Sequence, residues 1–362
     1  MTSADGESAA DGPGERQIAS DAVGVVVLGA CATWSLITAA VHGGRPEGVL
    51  LAVLAVTAGY AAGRIFGELL PVAAPCAAAV AGLSLTLALP RLVPGPETVT
   101  PLGHAGATAA VLTLSAGAAC CAAWATPATA LRLGLRLLAG GMAVAGAALG
   151  SAIAMVTCGA VLLCSLAAGR MPHRGRGLAG LALAAATVTG LTWATAGSAL
   201  PGGLASSLED QLTPRRIDLW RDALDLARQD RLGVGPGRFG ELSPTAVQAT
   251  LSDGKPHSAP LQMAAEQGVV GVLLLAAAFC WMLFALWRAV RPTPVVLSAG
   301  AALTGLAAVA AVGNALSFTT VSVGAGLLAG LATARPVEPA PRPASSRSGR
   351  TALLAPDGRP AA

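Results

Sequence analysis

Residues 213–271 read TPRRIDLWRDALDLARQDRLGVGPGRFGELSPTAVQATLSDGKPHSAPLQMAAEQGVVG, and their composition inverts that of the chain around them. Arg215, Arg216, Asp218, Arg221, Asp222, Asp225, Arg228, Asp230, Arg231, Arg238, Glu241, Asp253, Lys255, His257 and Glu266 all fall inside this one segment. On either side the sequence is almost wholly apolar, in runs close to the ~20 residues that a helix needs to cross a bilayer core. A chain of lipid-compatible helix interrupted by one long charged connection predicts an all-α polytopic membrane protein that does its chemistry at that connection.

Composition agrees. Of the 362 residues 54% are hydrophobic and 12% charged, about half the charged share of an ordinary soluble domain. The apolar content is Ala, Leu, Val and Gly, small residues that suit close helix packing in lipid. Arg is common whereas Lys occurs once, at Lys255, so base composition of the genome also contributes to this bias. All seven cysteines lie in apolar runs and the charged segment has none, which speaks against a disulfide framework or a thiolate metal site there. The N-terminus lacks the basic region of a signal peptide, so the first apolar run is expected to be retained as a span.

Working outward, apolar runs stand at 22–42, 48–66, 69–90, 104–125, 131–150, 151–169 and 177–197 before the charged segment, and at 262–287, 294–313 and 315–334 after it. The apolar stretch 131–169 is divided at Gly150–Ser151. The expectation is about ten transmembrane helices with one large extracytoplasmic loop before the last three. The domains read as a disordered cytoplasmic tail at 1–21, a seven-helix membrane block at 22–197, the loop at 198–261, a three-helix block at 262–334 and a second cytoplasmic tail at 335–362. Alternate short connections hold Arg64, then Arg132 and Arg136, then Arg170, Arg174 and Arg176, then Arg288 and Arg291; the C-terminal tail adds Arg335, Arg342, Arg347 and Arg350. The other short connections hold only Arg45 and Arg91, accompanied by Glu47 and Glu97. The positive-inside rule puts both termini in the cytoplasm and the long loop outside.

Within the loop, Ile217, Trp220, Leu224 and Ala227 recur at helical spacing behind Thr213 as N-cap and Pro214 as first helical residue. This amphipathic helix should lie on the membrane surface or on the bundle. LGVGPGRFG, with four Gly and one Pro, predicts a turn-rich connection. It has no flanking strand, so it does not read as a nucleotide loop. The segment 258–287 reads as one continuous helix that starts polar and turns apolar, with His257 at its mouth. Arginine suits bidentate phosphate recognition because its guanidinium is planar, always charged and weakly hydrated. Arg215, Arg216, Arg221 and Arg238 stand where a lipid-linked phosphate would be presented. His257, the one histidine of the loop, is the side chain suited to moving protons near neutrality. The alternative reading of these arginines is a solvated helix face paired with Asp218, Asp222 and Asp225. Asn314 reads as a residue satisfied by a helix contact.

Arg216 and Trp220, the turn LGVGPGRF, and then His257, Leu261, Glu266, Gly268 and Gly271 together resemble the signature of the O-antigen ligase and polymerase superfamily. The family implies a helical bundle in the cytoplasmic (inner or plasma) membrane with an extracytoplasmic site. It implies transfer of a glycan from a polyprenyl-pyrophosphate carrier to an acceptor, with no metal and no cofactor. The resemblance implies His257, Arg216 and Glu266 as catalytic residues; Arg215, Arg221, Arg238 and Trp220 are expected to bind substrate. The partners implied are the lipid-linked donor, a glycan, lipid or protein acceptor, and membrane lipids; no nucleic-acid partner is expected. Two positions depart from the family pattern: Ser258 follows His257 where Asn is common, and GSAIAM at 150–155 lacks the arginine found there in many members. The rival expectations are a transporter or flippase for the same lipid and a non-catalytic homologue.

Overall fold

The computed structural model describes residues 13–92, 105–199, 214–248 and 254–335. Among them the chain is all helix and connection, with no strand. The helices are α1 (Pro13–His42), α2 (Glu47–Leu69), α3 (Ala73–Leu92), α4 (Ala105–Ala125), α5 (Thr129–Ala148), α6 (Ala152–Ala168), α7 (Arg174–Ala196), α8 (Pro214–Gln229), the short α9 (Phe239–Leu242) and α10 (Pro244–Val247), α11 (Ala259–Arg288), α12 (Thr293–Val312) and α13 (Thr319–Thr333). Seven of them are long and apolar enough to cross a membrane, and the shorter apolar helices lie at Ala73–Ala88, Ala152–Ala168 and Thr319–Thr333. The protein is a multi-pass membrane protein.

The long apolar stretch breaks where the sequence divides it. Gly150 adopts φ 74°, and Ser151 caps α6 by accepting the Ala154 amide at 3.3 Å. Helix α1 begins before its apolar run, at Pro13, and continues through Asp21, whose carboxylate takes the Arg64 guanidinium at 3.1 Å and the Tyr60 hydroxyl at 3.1 Å. With its charge matched, Asp21 does not end the helix. Thr213, residues 1–12 and residues 336–362 lie outside the described residues.

The outer helices present large apolar side chains to their surroundings, among them Val25, Val41, Val144 and Leu183. Such a surface is a liability in water and the expected one in lipid. Helices α4 and α12 form the middle of the bundle, and their buried hydroxyls bond across helices: Thr113 with Thr157 at 2.7 Å and Ser298 with Ser165 at 2.8 Å. Helices α2 and α13 meet through glycine. A Cβ on Gly59 or Gly63 would stand 2.3 Å from the carbonyl oxygen of Val323 or Leu327; one on Gly326 or Gly330 would stand 2.2 Å from that of Val56 or Tyr60. Glycines every four residues on both partners bring backbone onto backbone, and dispersion then holds the pair where no hydrophobic effect acts.

The two ends of the bundle differ. At one end Arg174 donates to the Ala289 carbonyl at 2.6 Å, and Arg291 donates to the carbonyls of Ala334 and Gly67 at 3.0 and 2.6 Å. At the other end the α1–α2 connection meets the charged segment: the Arg45 amide donates to Pro236 O at 2.7 Å.

Candidate functional site

Helix α8 buries Ile217, Leu219, Trp220, Ala223 and Leu224 and leaves Arg215, Asp218, Arg221, Asp225 and Arg228 exposed. It packs on the bundle rather than floating beside it. Trp220 and Leu224 share one buried cluster with Phe239, Ala246, Leu261 and Ala265, against which Trp193 and Val312 pack. An apolar cavity of about 170 Å³ lies along this contact, lined by Leu224 and Ala227 on one side and Ala264, Val269 and Val272 on the other.

These contacts fix the direction of the helices. The far end of α8 meets the later part of α11, where the Val269 amide donates to Arg231 O at 3.1 Å, while Trp220 shares its cluster with Leu261. The two helices therefore run parallel. The start of α8, which holds Arg216, and the start of α11, just after His257, therefore lie at the same end of this contact.

Helix α11 is not the continuous helix that its sequence suggests. Gly268 has φ 66° and ψ −160°, a conformation essentially reserved for glycine. The carbonyls released by the break are all taken. Ala265 O accepts Val234 N–H and Glu266 O accepts Gly235 N–H, both at 2.9 Å, and Gln267 O accepts the Trp34 indole at 3.0 Å. The Gly-rich turn is thus laced into a broken helix, and it supplies the partners the helix lost. Gly233, Gly235 and Gly237 all have positive φ, and a Cβ on Gly233 would come within 2.5 Å of the Glu266 backbone.

The sequence-predicted residues divide by what they touch. Arg216 is half-buried, and among the described residues no carboxylate or hydrogen-bond acceptor partners it; burial draws its guanidinium below the ordinary arginine value. Arg215 is exposed. Arg221 pairs with Asp218 and Arg228 with Asp225, each at 3.4 Å and each exposed, so these form the solvated face that the alternative reading anticipates. Asp222 does other work, accepting the Ser243 hydroxyl at 2.5 Å and the Thr245 amide at 3.0 Å. Arg238 donates to His42 O at 2.8 Å and lies 3.7 Å from Glu241. Trp220 is fully buried, inside the cluster rather than on its surface. Glu266 is buried, which pushes its carboxyl above the ordinary range; the Gln262 side chain donates to it at 3.3 Å, and the backbone of Gly237 and Phe239 and the Lys255 charge pull the other way. His257 is half-buried with φ 51°, a left-handed conformation uncommon for a residue with a Cβ. Such strain collects at functional sites. Asn314 follows the end of α12 and accepts the Ser317 hydroxyl.

A sequence model of the O-antigen ligase family matches residues 105–276. The match covers just under half of the chain and is a likeness to that family. It runs from the start of α4 past the break in α11, so it holds both Arg216 and His257. No curated protein and no solved structure matches the chain. A membrane glycan ligase or polymerase-like role and a lipid-linked glycan donor follow from the O-antigen ligase domain.

Sequence reading missed His42. Its ring lies 3.7 Å from Asp230 and 3.2 Å from Thr38 O, at the end of α1 where the Gly-rich turn docks. Nothing in the linear sequence joins residue 42 to residue 230; only the packing of the turn does. Among the described residues no group of three or more His, Cys, Asp or Glu gathers as metal ligands would.

Proposed function

We propose that the chain transfers a glycan from a polyprenyl-pyrophosphate carrier to an acceptor hydroxyl at the outer face of the cytoplasmic membrane, with ten spans and both termini inside. Residues 198–261 form the outer loop in this reading. The observation that carries this reading is Arg216: a half-buried guanidinium with no anion of its own among the described residues, at the same end of the α8–α11 contact as His257 and within the segment that matches the O-antigen ligase family. Burying a charge without a partner is costly, and the diphosphate of a bound donor supplies one.

In this reading the acceptor hydroxyl oxygen attacks the anomeric carbon of the donor, and its proton passes to the His257 imidazole. The bond from that carbon to the diphosphate oxygen breaks, and the electron pair leaves with the lipid diphosphate. Arg216, assisted by the exposed Arg215, offsets the charge that develops there. Arg221 is already paired, and Arg238 holds the end of α1, so both support the site from its edges. Glu266 lies against the turn. The reaction needs no metal in this scheme. The break in α11 does not favour transport, because its carbonyls at 265, 266 and 267 are satisfied by the protein itself rather than free to bind a carried ion.

Topology and activity test the reading separately. In a cysteine-free background, a cysteine at exposed Val247 should react with an impermeant thiol reagent on intact cells, whereas one at exposed Pro172 should not. The reverse pattern would remove the external site. Deleting the gene should cause lipid-linked glycan to accumulate; unchanged levels would overturn the proposed transfer.

A further inference from the structure

Helix α1 lies outside the segment that matches the O-antigen ligase family, yet it and the connection after it hold the charged segment at three points. The Trp34 indole donates to Gln267 O at 3.0 Å, Arg238 donates to His42 O at 2.8 Å, and the Arg45 amide donates to Pro236 O at 2.7 Å. The last two contacts grip the turn. The first grips the broken helix, at the residue just before the break. One turn back on the same face of α1, the Cys31 thiol lies 3.9 Å from Leu274 O.

The two sides of the break are anchored differently. Past Gly268, the Val269 amide donates to Arg231 O at 3.1 Å, which ties the end of α8 to the later part of α11. A Cβ on Gly268 would stand 2.1 Å from that carbonyl, an approach that only glycine permits. Before the break, residues 259–267 run back to His257. Arg216 thus rides on a helix tied beyond the break, and His257 on the segment before it. The apolar contact of Trp220 with Leu261 and Ala265 joins the two parts, but such contact is non-directional and leaves the angle to the hydrogen bonds. Those bonds come from Val234, Gly235 and Trp34. Val234 and Gly235 belong to the turn that follows α8; Trp34 reaches in from the membrane block. A tilt of about 5° in a helical segment ~13 Å long moves its far end by about 1 Å, and a misplacement of that size costs up to about a hundredfold in rate.

We propose that Trp34 is a positioning residue for the transfer. Its indole N–H holds the Gln267 carbonyl, fixes the angle at the Gly268 break, and so places His257 against Arg216. This rests on the function proposed above for Arg216 and His257.

The test uses the full chain in proteoliposomes with a lipid-linked glycan donor. Trp34→Phe removes the N–H and keeps an aromatic ring. Its kcat should fall about tenfold, the size of one hydrogen bond lost at a carbonyl shielded from water, with donor KM changed less than about threefold. Trp34→His places Nε2 where the indole nitrogen stood and should recover most of the rate. In a His257→Gln background, Trp34→Phe should change kcat less than about twofold, because the group that it places is already gone. Without donor, hydrogen exchange of the amides across 261–267 should quicken in Trp34→Phe and stay near wild type in Trp34→His. An equal fall in kcat in both backgrounds would make Trp34 a structural contact only. A raised KM at unchanged kcat would place it in donor binding instead. Unchanged kcat with unchanged exchange would show that the indole holds nothing. If wild type transfers no lipid-linked glycan at all, the proposed function fails, while the exchange comparison still decides whether Trp34 holds the break.

Discussion

Glycine does two different jobs in two regions of this molecule. Between α2 and α13 it is an absent side chain: Gly59, Gly63, Gly326 and Gly330 let helix backbones touch. In the turn at 233–237 and at Gly268 it is a backbone conformation, positive φ at every one of Gly233, Gly235, Gly237 and Gly268. The first use builds a rigid membrane block out of dispersion contacts. The second builds the charged segment out of backbone hydrogen bonds, in which a broken helix and a turn complete one another. Damage to the two regions should therefore appear in different measurements: stability for the block, transfer for the charged segment.

The largest expected effect sharpens that contrast. His257→Gln should lower the transfer rate about 10²–10⁴-fold, the usual contribution of a general base, and should leave the thermal midpoint in detergent where it was. A drop in midpoint alongside the lost rate would make the strained His257 backbone a structural feature of the same kind as the glycines. Gly330→Val should do the reverse. Its branched side chain would be driven into the Tyr60 carbonyl, and overpacking of this kind costs roughly 1–3 kcal/mol. The variant should melt lower while the molecules still folded transfer at nearly the wild-type rate.

A smaller effect separates the arginines of α8. Arg216→Lys should lose roughly tenfold or more in kcat/KM, because an ammonium cannot reproduce a bidentate guanidinium contact. Equal tolerance of Arg216→Lys and Arg228→Lys would reduce Arg216 to one more solvated charge. The smallest effect is expected at Arg221→Ala. Its pairing with Asp218 is exposed on both sides, and such pairs contribute about 0–1 kcal/mol. Both stability and transfer rate should stay close to wild type, and a marked loss of transfer would return Arg221 to the substrate contacts.

The sequence by itself determined the helical membrane architecture, the division of the 131–169 stretch and the amphipathic helix behind Pro214. These follow from hydropathy, periodicity and capping, which are properties of consecutive residues. It also placed Arg216 and His257 in one charged segment. Tertiary structure decided how the arginines divide. Asp218, Asp222 and Asp225 all lie at helical spacing from arginines, yet Asp222 turns away to Ser243 and Thr245 while Arg216 is left half-buried without a partner among the described residues. It decided that 258–287 breaks at Gly268, because the stability of that break lies in the turn that caps it, about thirty residues earlier in the chain. It decided that Glu266 is buried beside the Gly-rich turn, and that His42 belongs to this end of the molecule. Pairing across long separations depends on which surfaces pack, and a linear pattern carries no record of that.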